Sequence, residues 1–353
     1  MPKFAPFFAN KLTSWYLIHK RDLPWRGSDN PYYIWLSEII LQQTRVAQGL
    51  PYYLKFVEAF PTVEALANAS ETDVLKLWQG LGYYSRARNL HFTANYIVNT
   101  CNGVFPKDYQ GLVTLKGVGD YTASAIASIC YNEPTAVVDG NVYRVLSRVF
   151  GVHTPINSTQ GKKEFKSLAQ QLLDESQPGT YNQALMEFGA RYCVPQNPEC
   201  SNCIFNDRCE AYKTNAVGQL PVKLKKRNVK KRYFNYIVIL SENDKTLLQK
   251  RTGKGIWQGL YEFPLLESTS EINEFQLKEM NAFQELAKKH QLSEITLYNE
   301  TSVIHKLSHQ HLYTRFWIGS ASEKITNSIS IKNVKEYAVP VLLQNFITEF
   351  FSS

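Results

Sequence analysis

The chain has 353 residues, 44% of them hydrophobic, with a formal net charge of +8 and a pI near 9.0. That length predicts two domains, each with apolar residues enough for a core, and the charge favours a polyanionic partner. No run of eighteen apolar residues occurs, so no membrane-spanning helix is expected. The opening residues 1–11 are too short and too quickly polar for a secretory signal, and a reducing, cytoplasmic setting is expected.

Residues 1 to about 212 are expected to be mostly helical. Apolar residues recur at helical spacing over 7–18, 36–46, 63–78, 87–97, 122–130 and 142–150, separated by short Gly, Pro and Asn loops. Residues 223–232 carry seven Lys or Arg in ten positions, which reads as a solvated tether or as one that also touches phosphate. From Tyr233 the pattern changes to strands. These are expected at 233–240 and 246–249 around a turn at 242–244, then at 303–305 and 312–318, with helices at 281–289 and 339–350. The expected architecture is a mainly α domain followed by an α+β domain, without internal repeats.

Three motifs in the first part carry chemistry. Lys116-Gly117-Val118-Gly119-Asp120-Tyr121, after a helical run and before another, is the turn of a helix-hairpin-helix. Its glycines permit a tight bend, and the unpaired N–H groups opening the second helix suit a phosphate. Next comes Val138-Asp139-Gly140-Asn141, where Asp139 falls at a helix start. It is either a plain N-cap or a carboxylate kept ionised by the helix dipole. Glu38, in Trp35-Leu36-Ser37-Glu38-Ile39, is either a helix-start cap partner or a buried acid. Burial would let it hold a proton near neutral pH.

The third motif is C-x6-C-x2-C-x5-C at Cys193, Cys200, Cys203 and Cys209. Four thiols on a Pro- and Asn-rich loop can wrap one compact metal centre. Disulfides suit a reducing compartment poorly. Zinc sites come mostly as two short cysteine pairs, and only one tight pair is present here. One [4Fe–4S] cluster is therefore expected, with zinc as the rival. Cys130, at the end of an apolar helical run, reads as a small core residue.

Together these motifs resemble the helix-hairpin-helix DNA glycosylase superfamily and, within it, the MutY family of adenine glycosylases acting opposite 8-oxoguanine. Leu23-Pro24-Trp25-Arg26, Leu41-Gln42-Gln43-Thr44 and Gln79-Gly80-Leu81-Gly82-Tyr83-Tyr84 also match that branch. The resemblance implies a glycosylase domain over 1–215, with a six-helix barrel module at about 30–133 and an iron–sulfur module from 1–29 with 134–215. A basic linker over 216–232 and a Nudix-like lesion-recognition domain over 233–353 follow. It further implies that Glu38 protonates adenine and Asp139 stabilises an oxocarbenium-like sugar, with Tyr121 and Asn141 positioning Asp139 and the sugar. Trp25, Arg26 and Gln183 would line the adenine pocket. Gln43, Thr44, Leu81 and Tyr83 would serve the opened duplex, and Gly117, Val118 and Gly119 would bind phosphate.

Related endonuclease III-type enzymes place a lysine where this chain has Tyr121, so a monofunctional enzyme without strong strand cleavage is expected. In the second domain, Gly255-Ile256-Trp257-Gln258-Gly259-Leu260 resembles the opening of a Nudix-like domain, but residues 265–300 lack the Arg-Glu-x-x-Glu-Glu helix of a Nudix hydrolase. Ser308 and His309 match the loop that inspects 8-oxoguanine. A serine hydroxyl can accept from the N7–H that 8-oxoguanine has and guanine lacks. Lys116, Asp120 and Leu307 depart from the family pattern, and an acid at 120 would weaken a phosphate clamp. The expected partner is double-stranded DNA with 8-oxoguanine·adenine or guanine·adenine pairs, bound by a monomer. The alternatives are an endonuclease III-like pyrimidine glycosylase and lyase, and a damage sensor that binds without cutting.

Overall fold

The computed structural model describes residues 5–224, 229–241, 243–321 and 327–351. It divides into two compact units, Met1–Asn68 with Asn89–Lys225, and Ala69–Arg88 with Lys226–Ser353. The first twelve helices follow in chain order: α1 (Ala5–His19), α2 (Pro31–Leu41), α3 (Val46–Ala59), α4 (Val63–Asn68), α5 (Glu71–Leu77), α6 (Ser85–Thr100), α7 (Tyr109–Val113), α8 (Asp120–Tyr131), α9 (Gly140–Phe150), α10 (Thr159–Leu172), α11 (Pro178–Arg191) and α12 (Glu210–Lys213). The mainly α first part is as expected.

In the first unit, α2 opens at an Asn30 cap followed by Pro31, and it is apolar nearly all round, so it runs buried against α3 and α8. The single helix expected over 36–46 is instead two. The chain leaves α2 after Leu41, Gln43 adopts a left-handed φ of 57°, and α3 starts at Val46. The helix expected over 63–78 is also interrupted, because Ser70 caps α5 by accepting from the Asp73 N–H. A second core joins α1, α9, α10 and α11 to the cysteine loop through Phe8, Leu12, Leu146, Phe165, Phe188 and Phe205. Ala216 and Leu220 are buried in this same core, so the first part of the linker expected over 216–232 packs as structure. Residues 225–228 of that linker lie outside the described residues, and 230–232 already belong to a strand.

The second unit carries a seven-stranded mixed sheet among its described residues. Strand β1 (Lys230–Ser241) runs parallel to β8 (Gln310–Ala321), in register from Lys230 opposite Gln310 to Ser241 opposite Ala321. Around them pair β2 (Lys245–Thr246), β5 (Leu265–Ser268), β6 (Leu292–Leu297), β7 (Val303–Lys306) and β9 (Ile329–Ser330), while β3 (Gln249–Lys250) and β4 (Tyr261–Glu262) form a separate ribbon. The return strand expected over 246–249 is thus split between two sheets: Thr246 pairs with Leu240 and Gln249 with Glu262. Helices α13 (Glu274–Glu279) and α14 (Asn281–His290) contribute Leu277 and Phe283 to a core with Ile237, Ile239 and Trp317. The closing helix α15 (Val341–Phe350) stacks Phe346 on Phe316 with ring centroids 3.9 Å apart. This is the α+β domain expected from the sequence. No helix among the described residues is long and apolar enough to cross a membrane.

Candidate active site

Glu38 and Tyr121 meet because α2 packs on α8. Glu38 is only 8% exposed, and the Tyr121 hydroxyl donates to its Oε2. Burial lifts the Glu38 carboxyl to about 7. The Tyr121 hydrogen bond opposes the rise, nearby Asp139 adds to it, and Arg26 opposes it. Burial also raises the Tyr121 phenol well above its usual value, so it stays a donor. The Tyr121 hydroxyl also lies 3.6 Å from the Met186 Sδ, and Asp139 is near enough for its charge to add to the rise of the phenol.

Asp139 caps α9. Its Oδ1 accepts from the N–H groups of Asn141 at 2.9 Å and Val142 at 2.7 Å, and its Oδ2 accepts from the Asn141 amide at 2.7 Å. Asn141 is held in turn by the Arg144 guanidinium, which donates to its Oδ1 at 2.8 Å and to the Gly189 carbonyl at 2.6 Å. Gly189 permits that approach of α11 to α9, since a Cβ there would lie 2.8 Å from the Asn141 carbonyl oxygen. Burial raises the Asp139 carboxyl, while the Val142 and Asn141 donors and the Arg144 charge act to lower it. The capping and the charged readings of Asp139 are compatible, since one oxygen caps and the other faces a side-chain donor.

Arg26 lies 5.4 Å from the Tyr16 ring centroid and donates to Glu187 at 2.5 Å; Arg21 makes a second, two-pronged pair with the same carboxylate at 2.8 and 2.7 Å. Burial of Glu187 acts to raise its pKa, but the two guanidiniums override it and bring the carboxyl down to about 2. The Gln183 Oε1 accepts from the Tyr16 hydroxyl at 3.1 Å. Trp25 is buried edge-on to Tyr53, with centroids 5.0 Å apart. Sequence reasoning missed Glu187 and Tyr16. A carboxylate inside Ala184-Leu185-Met186-Glu187-Phe188 was the available signal, the same that marked Glu38.

The hairpin turn is built as its glycines require. Gly117 has φ 84°, and a Cβ there would meet the Asn89 Cβ at 2.8 Å. Gly119 is the N-cap of α8 with no side-chain cap, and Val118 tucks into the core between them. Asp120 does not stand alone beside the turn: it accepts from Tyr109 at 2.8 Å and pairs with Lys166 at 2.8 Å. Next to Gln43, the Gln42 amide donates to the Thr122 hydroxyl at 3.1 Å, and Thr44 donates to the Gln42 carbonyl at 3.3 Å.

Cys193, Cys200, Cys203 and Cys209 are free thiols that line one cleft. Buried Arg148 pins the loop by donating to the carbonyls of Val194 at 2.8 Å, Pro195 at 3.1 Å and Leu220 at 3.2 Å, and to the Cys193 Sγ at 3.4 Å. Burial pushes Cys203 up to about 12, and the other three cysteines contribute to the rise. No group of three or more His, Cys, Asp or Glu among the described residues is arranged to hold a metal ion.

In the second unit, Leu81 is buried and Tyr83 is 50% exposed with a left-handed φ of 49°. Both share a cavity of about 480 Å³ with Arg88, Trp257, Ser308 and His309. The Ser308 hydroxyl and the His309 Nδ1 lie 3.3 Å apart.

Residues 36–173 match the HhH-GPD superfamily of base excision DNA repair proteins, and residues 235–349 match the NUDIX domain. A curated relative from Buchnera aphidicola, an adenine DNA glycosylase, is 35% identical over 289 residues, covering 80% of this chain and 82% of the relative. The adenine DNA glycosylase of Mus musculus is 46% identical over 222 residues, which cover 60% of this chain and 43% of the mouse protein. A thermostable thymine-DNA glycosylase of known structure is 28% identical and superposes with a TM-score of 0.56 over 60% of this chain and 98% of its own.

Proposed function

The chain belongs to the family of adenine DNA glycosylases, and from that premise we propose that it hydrolyses the N-glycosidic bond of adenine paired with 8-oxoguanine or guanine in duplex DNA. The observation that carries this reading is the buried Glu38, bonded to Tyr121 and close enough to Asp139 to feel its charge.

The target adenine leaves the base stack to reach the site. Trp25, Arg26 and Gln183 receive it, with Glu187 fixing Arg26. Glu38 gives its proton to adenine N7, the C1′–N9 bond breaks, and its electron pair leaves with the base. Asp139 offsets the positive charge that develops on the sugar. Water then adds to C1′, and its proton returns to Glu38. Tyr121 offers no amine to the sugar, so no Schiff base forms and the strand stays intact. Asn141 positions Asp139, and Tyr121 positions Glu38.

Gly117 and Gly119 bind a backbone phosphate through main-chain N–H groups, while Val118, whose N–H donates to the Leu115 carbonyl at 3.0 Å, holds the turn between them. Gln43 and Thr44 of the first unit serve the opened duplex, and so do Leu81 and Tyr83 of the second. Cys193, Cys200, Cys203 and Cys209 would hold one [4Fe–4S] cluster, and four such ligands would tie the 193–209 loop together. The protein acts as a monomer in the compartment that holds the DNA. Its glycosylase domain joins, through a basic segment, a Nudix-like domain that reads the opposite base.

The reader is tested by Ser308→Ala with His309→Ala. Each lost hydrogen bond is worth about 1 kcal/mol, so the ratio of excision rates on adenine·8-oxoguanine and adenine·guanine duplexes should narrow by about fivefold or more. Salt is held constant in both arms. An unchanged ratio would remove Ser308 and His309 from lesion recognition.

A further inference from the structure

An open cavity of about 710 Å³ lies in the first unit between the hairpin and the catalytic aspartate. Asp120, the first residue of α8, lines it, as do Val138, which precedes Asp139, and Tyr143; Lys162, Lys163 and Lys166 of α10 line it together with the polar Ser167, Gln170 and Gln171. Three lysines and one carboxylate thus line one cavity.

The three lysines are not equivalent. Lys166 directs its donors to Asp120 at 2.8 Å, to the Ser124 hydroxyl at 3.0 Å and to the Ala136 carbonyl at 2.7 Å. Its charge is matched by Asp120, and the acid that would repel a phosphate beside Gly119 is neutralised. Lys162 and Lys163 are exposed, and neither ammonium has a hydrogen bond or ion pair among the described residues. The cavity therefore keeps two uncompensated positive charges.

Resting on the proposed glycosylase reading, we propose that this cavity is a second phosphate-binding site. It takes a backbone phosphate of the strand that carries the target base, held by Lys162 and Lys163, while Lys166 cancels Asp120. The site supplies from α10 the positive charge that residue 120 does not offer at the hairpin. Asp120, next to Gly119, and Val138, next to Asp139, both line the cavity, so it adjoins the two positions to which the strand is assigned. Its opening suits a chain of phosphates rather than a small enclosed anion.

The test uses the full chain and the dependence of duplex affinity on salt. The probe is a labelled duplex with 2′-fluoro-deoxyadenosine opposite 8-oxoguanine, whose fluorine disfavours the sugar cation and so slows excision. An undamaged duplex is measured beside it. Each phosphate contact contributes about 0.9 to the slope of log affinity against log salt. Lys162→Ala with Lys163→Ala should lower that slope by about 0.9 on the 2′-fluoro duplex. Over a fourfold rise in salt, the unaltered protein should then lose about three- to fourfold more affinity than the double variant. The double Arg variant should restore the slope. An unchanged slope in the alanine variant, with normal excision of unmodified substrate, would overturn this site and leave the glycosylase reading standing. Failure of the unaltered protein to bind either duplex would overturn both.

Discussion

Glu38→Gln should lower single-turnover adenine excision by about 10²- to 10⁴-fold, the usual scale for loss of a general acid. Glutamine has nearly the same shape and can still accept from Tyr121, so duplex binding should survive. The pH dependence supplies a second signature. Burial holds the Glu38 carboxyl at about 7, and the proposed chemistry needs it protonated. Excision should therefore decline as pH rises through about 7. The slow reaction left in Glu38→Gln should lack that decline, because no group titrates at position 38. Asp139 must be ionised, so acid should slow the unaltered enzyme as pH falls through its raised value. A Glu38→Gln protein with near-normal rates would remove Glu38 from the chemistry.

Asp139→Asn should cost about 10²- to 10³-fold in excision, the scale for loss of a preorganised electrostatic partner of the transition state. The fold should suffer much less. An asparagine Oδ1 can still cap α9 by accepting from the Asn141 and Val142 N–H groups. Its Nδ2 would, however, face the Asn141 Nδ2, donor against donor. Turning the Asn141 amide relieves that clash but sets its NH₂ against the Arg144 guanidinium. One hydrogen bond is lost either way, about 1 kcal/mol. Asp139→Ala removes the cap as well and should cost about 1 kcal/mol more. The check is thermal unfolding beside excision. If Asn and Ala variants were equally stable, Asp139 would not be the cap, and if Asn kept full activity its charge would be irrelevant.

Much of this was legible in the chain. The C-x6-C-x2-C-x5-C spacing, the Gly-Val-Gly turn and the Val-Asp-Gly-Asn string are local, and local strings survive without coordinates. The change from helical to strand periodicity near Tyr233 is equally local and placed the second domain. What was hidden depends on partners far apart in sequence. Glu187 gains its role from Arg21 and Arg26, more than 160 positions away. Asp120, an oddity beside a phosphate turn, becomes explicable only when folding brings Lys166 to it. The break between α2 and α3 was missed because Gln42 to Arg45 contains neither Gly nor Pro. The left-handed backbone of Gln43 ends the helix without an obvious punctuating residue. Strand β6 was missed because one of its faces is mostly exposed, and β5 because its four residues show no buried–exposed alternation.

The most direct test of the central claim is single-turnover incubation of the full chain with an adenine·8-oxoguanine duplex labelled on the adenine strand. Samples are divided between alkali with heat, no treatment, and borohydride. The proposed chemistry predicts free adenine, strand breaks only after alkali, and little or no borohydride-trapped complex. Intact adenine in the duplex, or breaks without alkali together with strong trapping, would contradict it.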